Sequence, residues 1–196
     1  MFDNPQTIFL LEVFAVLAVP GPTNSLLFVS GVTRGLRNTL ALILAELGAY
    51  LISIAFLVCV AVPAARLHST VGQLLRIVCS LYLAQMALWL WRWEDHGVVA
   101  SHPITFHRVF TTTLVNPKTL VFAFVIFPTV GLVEIVPYFI SFSAVCIGAA
   151  CGWIAGGALL HSRGSHHTRL NWLYRGEACL LAGFAIVLLI SAFYDA

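Results

Sequence analysis

Six long apolar stretches follow one another along the chain, each close to the length of about 20 residues that carries a helix across a bilayer. No water-soluble fold can bury so many of them, because 60% of the 196 residues are hydrophobic and only 9% are charged. Average soluble domains hold roughly 45–50% and 25%. Six spans would use about 120 of the residues, leaving about 76 for all connections and both ends. Residues 1–196 are therefore read as a single transmembrane domain, all-α, with six transmembrane helices. Ten Lys and Arg against eight Asp and Glu leave a formal charge of +2 and no basic block long enough to follow a phosphate backbone. That excludes nucleic acid as a partner and leaves the lipid bilayer as the surrounding medium.

The charges that interrupt the apolar runs place the spans at about residues 8–30, 39–62, 74–91, 110–129, 136–160 and 172–193. The third ends in Trp89, Trp91, Arg92 and Trp93, an aromatic and cationic cluster of the kind that sits at headgroup level. Glu94, Asp95, His96, His102, His107 and Arg108 form the longest polar connection. The first charges, Asp3 and Glu12, are acidic, so the first run lacks the positive lead of a secretory signal and is expected to stay as a span.

Two breaks carry the functional reading. Pro20, Gly21, Pro22, Thr23 and Asn24 interrupt span one, and Asn116, Pro117, Lys118 and Thr119 interrupt span four. Proline removes a backbone donor and glycine relaxes the dihedrals, so both segments expose backbone polar groups that hydrocarbon does not satisfy. Such broken helix is tolerated where protein or a wet cavity supplies partners, and transporters use these helix ends as ligand sites near the midplane. Three spans plus three spans, each triplet opening on a broken helix, predict a 3+3 inverted repeat with breaks in helices 1 and 4. The plainer alternative is a pair of proline kinks that merely shape the helices.

Lys118 is the only lysine, about 10 residues or roughly 15 Å beyond Arg108. An ammonium at that depth is costly unless it faces an anion or an aqueous route, although a lysine stem can also snorkel to an interface. Glu46, the one acidic residue of span two, is a candidate partner for Lys118 and a candidate proton carrier; a substrate carboxylate is the other candidate partner, and a structural hydrogen bond is the other use of Glu46. The candidate substrate-binding set is thus Pro20, Gly21, Pro22, Asn24, Asn116, Pro117 and Lys118, with Glu46 for proton coupling.

Ala144, Gly148, Gly152 and Gly156 recur at intervals of four in span five and predict a smooth face for helix packing. Gly31 and Gly35 repeat that spacing at the end of span one, where a sharp turn explains them equally well. The five cysteines lie in apolar stretches without CxxC spacing, and the histidines form no recognisable ligand set, so neither disulfides nor a metal nor any cofactor is expected.

These residues resemble the lysine exporter superfamily, in particular its homoserine and threonine exporter branch. Pro20-Gly21-Pro22-Thr23-Asn24 resembles the PGP(x)N signature of the first span, and Arg34-Gly35 the turn after it. Asn116-Pro117-Lys118, continuing through Phe122 and Phe124 to Pro128, resembles the NPK segment, and Leu81-Tyr82-Leu83 resembles the YL element of span three. Cys79 and Ser80 stand where the family usually has glycine before that element, and span two keeps mainly Gly48 of several glycines. The resemblance implies a secondary active exporter of small amino acids or related zwitterionic metabolites, driven by the proton-motive force, in a bacterial cytoplasmic (inner) membrane. Dimers have been considered for the family, and a homodimer stays open here.

An enzyme is disfavoured, since the chain has no HExxH, no GxSxG and no pair of membrane aspartates. A non-transporting accessory or scaffold subunit is the main alternative, and a channel is less attractive because the chain has no ring-forming filter repeats or conspicuous pore charges. Arg34 with Arg37, Arg92 with Arg108, and Arg163 with Arg169 fall in the odd-numbered connections, against Arg66 alone in the others, which puts the odd connections in the cytoplasm and both termini outside. A reporter fused after Ala196 should be active on the outer side; activity confined to the cytoplasm overturns this topology.

Overall fold

Pro20 and Pro22 carry no amide hydrogen, so the carbonyls four residues before each, Val16 and Ala18, lose their helical donors and the first apolar run divides there. The computed structural model describes residues 4–37, 39–61, 69–92, 103–161 and 171–194. In it α1 (Pro5–Ala18) and α2 (Pro22–Arg34) meet at 64°. Asn4 caps α1, its side-chain oxygen accepting from Gln6 N at 3.1 Å. Gly35 ends α2 in the left-handed region, φ 73°, which glycine reaches without a Cβ clash. The sharp-turn reading of that glycine holds.

After α2 come α3 (Ala41–Phe56), which runs on as a π-helical turn over Leu57–Ala61, and α4 (Ser69–Arg92). The fourth apolar run divides into α5 (Phe106–Leu114) and α6 (Lys118–Val121), the latter continuing as a second π turn over Phe122–Ile126, with 49° between the two parts. It begins four residues before the expected position 110 because the Thr105 hydroxyl accepts from Arg108 N at 3.2 Å and caps a polar first turn. It stops at Ile126, short of the expected 129, because Pro128 forces Phe127 into an extended conformation, ψ 129°. Then follow α7 (Val136–His161) and α8 (Asn171–Tyr194). Trp93, Glu94, Asp95, His96, His102, Arg163, His166, His167 and Arg169 lie outside the described residues.

Among the described residues three stretches, Ala41–Cys59, Gly72–Arg92 and Val136–Leu159, are long and apolar enough to cross a bilayer, and each bent pair passes the same test when taken together. Within α8, Ala178–Phe193 is a shorter apolar stretch.

Packing pairs α4 with α8, α1 and α2 with α7, α3 with α5 and α6, α3 with α7, α2 with α5, and α1 with the π turn after α6. With the π turn counted as part of α6, exchanging α1–α4 for α5–α8 in order maps this set of pairings onto itself. Between α4 and α8 the tie is polar as well as apolar: Ser80 Oγ donates to the Ala185 carbonyl and Arg76 Nη1 to that of Ser191, each at 2.9 Å. The Arg175 guanidinium stands 5.8 Å from the centroid of the exposed Trp91 ring.

Two buried apolar clusters form. The larger is rich in rings, with Phe122 and Phe142 centroids 5.0 Å apart, Tyr50 at 5.6 Å from Phe122, and Phe9 at 5.2 Å from Phe127, all near edge-to-face. The smaller is mainly aliphatic and includes Leu26, Leu27, Leu42, Ile43, Val109 and Ile154. Along the first span the order is Val13, Val16 and Leu17 of the large cluster, then Thr23–Ser25, then Leu26 and Leu27 of the small one. Along α3, Glu46 stands between Ile43 and Tyr50, and along α5 and α6 the residues Thr113–Thr119 stand between Val109 and Val121. A polar layer is therefore sandwiched between two apolar plugs.

The small-residue face is corrected by the structure. Ala144, Gly148 and Gly152 are exposed, and a Cβ on Gly148 or Gly152 would meet nothing within 4 Å. Close packing falls instead on Gly157, where an added Cβ would lie 2.0 Å from the Phe28 carbonyl oxygen, and on Gly31, where it would lie 2.3 Å from that of Ile154. α2 and α7 cross backbone to backbone at these two glycines. Gly156 of the interval-of-four set does touch α2, an added Cβ lying 3.6 Å from the Phe28 ring, but the closest approach falls one residue later, because the crossing angle rather than the repeat chooses the facing position. Gly157→Ala should therefore lower the melting temperature in detergent by forcing the crossing open, a cost of about 1–3 kcal/mol, while Gly148→Ala should not; equal melting of the two overturns the crossing.

Candidate functional site

A helix that stops in the interior leaves carbonyls without donors, and these set the geometry here. At the first break the Asn24 amide donates to the Leu17 and Val19 carbonyls, 2.8 Å each. Trp153 Nε1 of α7 adds a second donor to Leu17 at 3.2 Å, and the Lys118 ammonium adds one to Val19. Lys118 thus reaches from the start of α6 across to the end of α1. At 1% exposure it turns inward rather than snorkelling, and its charge faces the negative end of a helix dipole.

At the second break Pro117 has no amide to give, and the next two amides bond locally. Lys118 N donates to Asn116 Oδ1 and Thr119 N to the Asn116 carbonyl, both at 3.0 Å. The Leu114 and Val115 carbonyls are left to other helices: Ser53 Oγ of α3 donates to the first at 3.2 Å and Tyr82 Oη of α4 to the second at 2.8 Å.

Asn116 also joins the two breaks. Its amide donates to Thr23 Oγ1 at 3.1 Å and to Tyr50 Oη at 3.4 Å, and Thr23 shares a 3.0 Å hydroxyl contact with Thr113. Of the sequence-expected residues, Asn24, Asn116 and Lys118 therefore meet in one network, with Pro20, Gly21, Pro22 and Pro117 supplying the backbone breaks. Glu46 lies in the same layer at 1% exposure, and its Oε2 accepts no hydrogen bond. The Lys118 charge acts on it through space, and it in turn acts on Cys146 of α7. Ser25 Oγ, in the first turn of α2, is likewise buried with no partner. The N-terminus of α2 at Gly21 has no side-chain cap.

Sequence reasoning missed Thr23, Ser25, Tyr50, Thr113 and Trp153 as parts of this centre. Tyr50 was findable, because it stands one helical turn after Glu46. Trp153 was not, since 136 residues separate it from the carbonyl it caps. Among the described residues no group of three His, Cys, Asp or Glu could hold a metal ion. The arrangement brings a buried ammonium, a helix N-terminus and a carboxylate with one oxygen free of hydrogen bonds into one buried layer, which suits a small solute bearing both charges.

Asn24→Asp keeps the shape but removes both donors from Leu17 and Val19, and should lower stability by about 1–3 kcal/mol; Trp153→Phe, which leaves Asn24 on Leu17, should cost less. Melting curves that rank the two variants the other way overturn the capping role. A comparison with known families matches the chain over residues 14–192 to the LysE type translocators. No curated protein and no solved structure matches.

Proposed function

From membership of the LysE type translocator family, to which the chain belongs, we propose that it is a proton-driven secondary exporter of small amino acids or related zwitterionic metabolites. LysE type translocators are multi-pass membrane proteins that export amino acids or related substances. The finer reading places this chain in the homoserine and threonine exporter branch, in a bacterial inner membrane, with six spans arranged as a 3+3 inverted repeat. Support for the repeat comes from the pairings, which survive exchange of the halves, and from the two breaks meeting in one layer.

One observation carries the reading: the Lys118 ammonium spans from the second break to the Val19 carbonyl at the first. That contact is replaceable. A substrate carboxylate is a stronger partner for an ammonium than a carbonyl is, and the uncapped N-terminus of α2 with Ser25 Oγ adds donors on the same side of the break. The substrate ammonium would face the Glu46 carboxylate and the Asn116 oxygens. Burial of Thr23, Asn24, Asn116 and Lys118 supports reading this arrangement as an occluded one. Alternating access opens either the ring-rich or the aliphatic plug. Glu46, with Oε2 free of hydrogen bonds, carries the proton inward when no substrate occupies the layer.

Labelled amino acids loaded into proteoliposomes with an imposed proton gradient test this. Native protein should give saturable, gradient-dependent efflux. Lys118→Ala should reduce it by about tenfold to a hundredfold, the value of one charge-assisted hydrogen bond, and Glu46→Gln should flatten its dependence on pH. Undiminished efflux in a folded Lys118→Ala protein overturns the site, and an unchanged pH profile in Glu46→Gln overturns the coupling.

A further inference from the structure

A cavity of about 570 Å³ lies between α3, α4 and the second break and is open on the side where Ile52, Phe56, Val78 and Val115 are exposed. It is separate from the polar layer yet touches it, because Asn116 belongs to both. Its size falls within the range of about 300–1,000 Å³ typical of small-molecule sites. We infer that the transported solute carries a bulky, uncharged, apolar side chain, and that this cavity receives it while the charged head occupies the polar layer. The inference rests on the exporter reading and adds the substrate class to it.

Chemistry of the lining sets that class. None of the twelve residues around the cavity is charged, and the walls are mostly aliphatic and aromatic carbon from Phe56, Leu57, Leu114 and Leu120. A lysine or glutamate side chain would be placed there without a counter-charge, at a high desolvation cost. A methyl side chain would leave most of the volume unfilled and forgo the contacts with its walls. The few polar groups, Ser53, Tyr82, Asn116 and Thr119, all bond at the second break, so the polar edge lies where the head would enter and the apolar body lies away from it.

Two further features separate this cavity from a chance crevice. The π turn Leu57–Ala61 contributes Leu57 to its wall, and π turns inside helices concentrate at functional sites. The two breaks also differ where the halves correspond. At the second, the slim Ser53 hydroxyl caps Leu114 and leaves space beside it, whereas at the first the capping group from the corresponding helix α7 is the bulky indole of Trp153. The sequence therefore makes room for a side chain next to one break and places an indole at the other.

Efflux of leucine, phenylalanine, alanine, lysine and glutamate from proteoliposomes tests the inference. Leucine and phenylalanine should exceed the other three at least about tenfold, since each methylene of a filled apolar pocket is worth about 10-fold or more. Val78→Trp and Ile52→Trp, both at exposed positions on the cavity rim where the fold is not at stake, should each lower the leucine-to-alanine ratio about tenfold. Ile186→Trp, exposed on α8 and away from the cavity, should leave that ratio unchanged. A native preference for lysine, glutamate or alanine overturns the inference and leaves the exporter standing. A ratio unmoved by both rim variants assigns the crevice to a lipid chain and also overturns it. Absence of efflux for every solute overturns the exporter reading, and this inference with it.

Discussion

Carbonyl groups stranded at two helix ends inside an apolar medium are the constraint on which the rest of this structure depends. Water is not there to bond them, so each has to be met by a donor from somewhere in the protein. Leu17 and Val19 are met by Asn24, Trp153 and Lys118, and Leu114 and Val115 by Ser53 and Tyr82. Those donors come from α2, α7, α6, α3 and α4. Satisfying four carbonyls therefore ties five helices to the two breaks, and the tying brings the only lysine of the chain into the centre.

The same economy produces an occluded layer. Polar residues that serve the breaks cluster at one depth along three elements, and apolar residues on either side close over them. Ring contacts seal one side, running from Phe9 through Phe127 and Phe142 to Tyr50. Aliphatic packing and the crossing of Gly31 with Gly157 seal the other. Each seal is built mainly from non-directional contacts, Tyr50 being the ring that also accepts a hydrogen bond from the layer, whereas the layer between them is held by directional ones. That division fits the proposed alternating access, in which the ends open in turn around a site that stays assembled.

Legibility varied with how local the cause was. The breaks were plain, because proline and glycine act on their own residues and the four before them. Helix ends were read within about five residues, the widest miss being α4, which begins at Ser69 rather than 74; in the fourth span the differences trace to Thr105, whose cap extends α5 into polar sequence, and to Pro128, which stops the π turn early. The depth of Lys118 was legible from its distance to Arg108. Its partner was not: Glu46 and a substrate carboxylate were the candidates, and the structure adds a carbonyl 99 residues away. Gly157 was passed over for Gly156 because a repeat of four marks a stripe on a helix without saying which edge of it another helix touches.

The sequence by itself determined that the chain lives in a membrane, where its helices break, and that its only lysine lies at one of the breaks. These follow from the transfer cost of charges and from backbone chemistry, which depend on residue type and neighbouring positions alone. Only the tertiary structure decided which groups answer the stranded carbonyls, that Glu46 and Ser25 keep unpartnered oxygens in the same layer, and that space opens beside the second break while Trp153 stands at the first. Those outcomes turn on distances between segments that lie dozens of residues apart, and the packing of α3 and α7 against opposite breaks sets them.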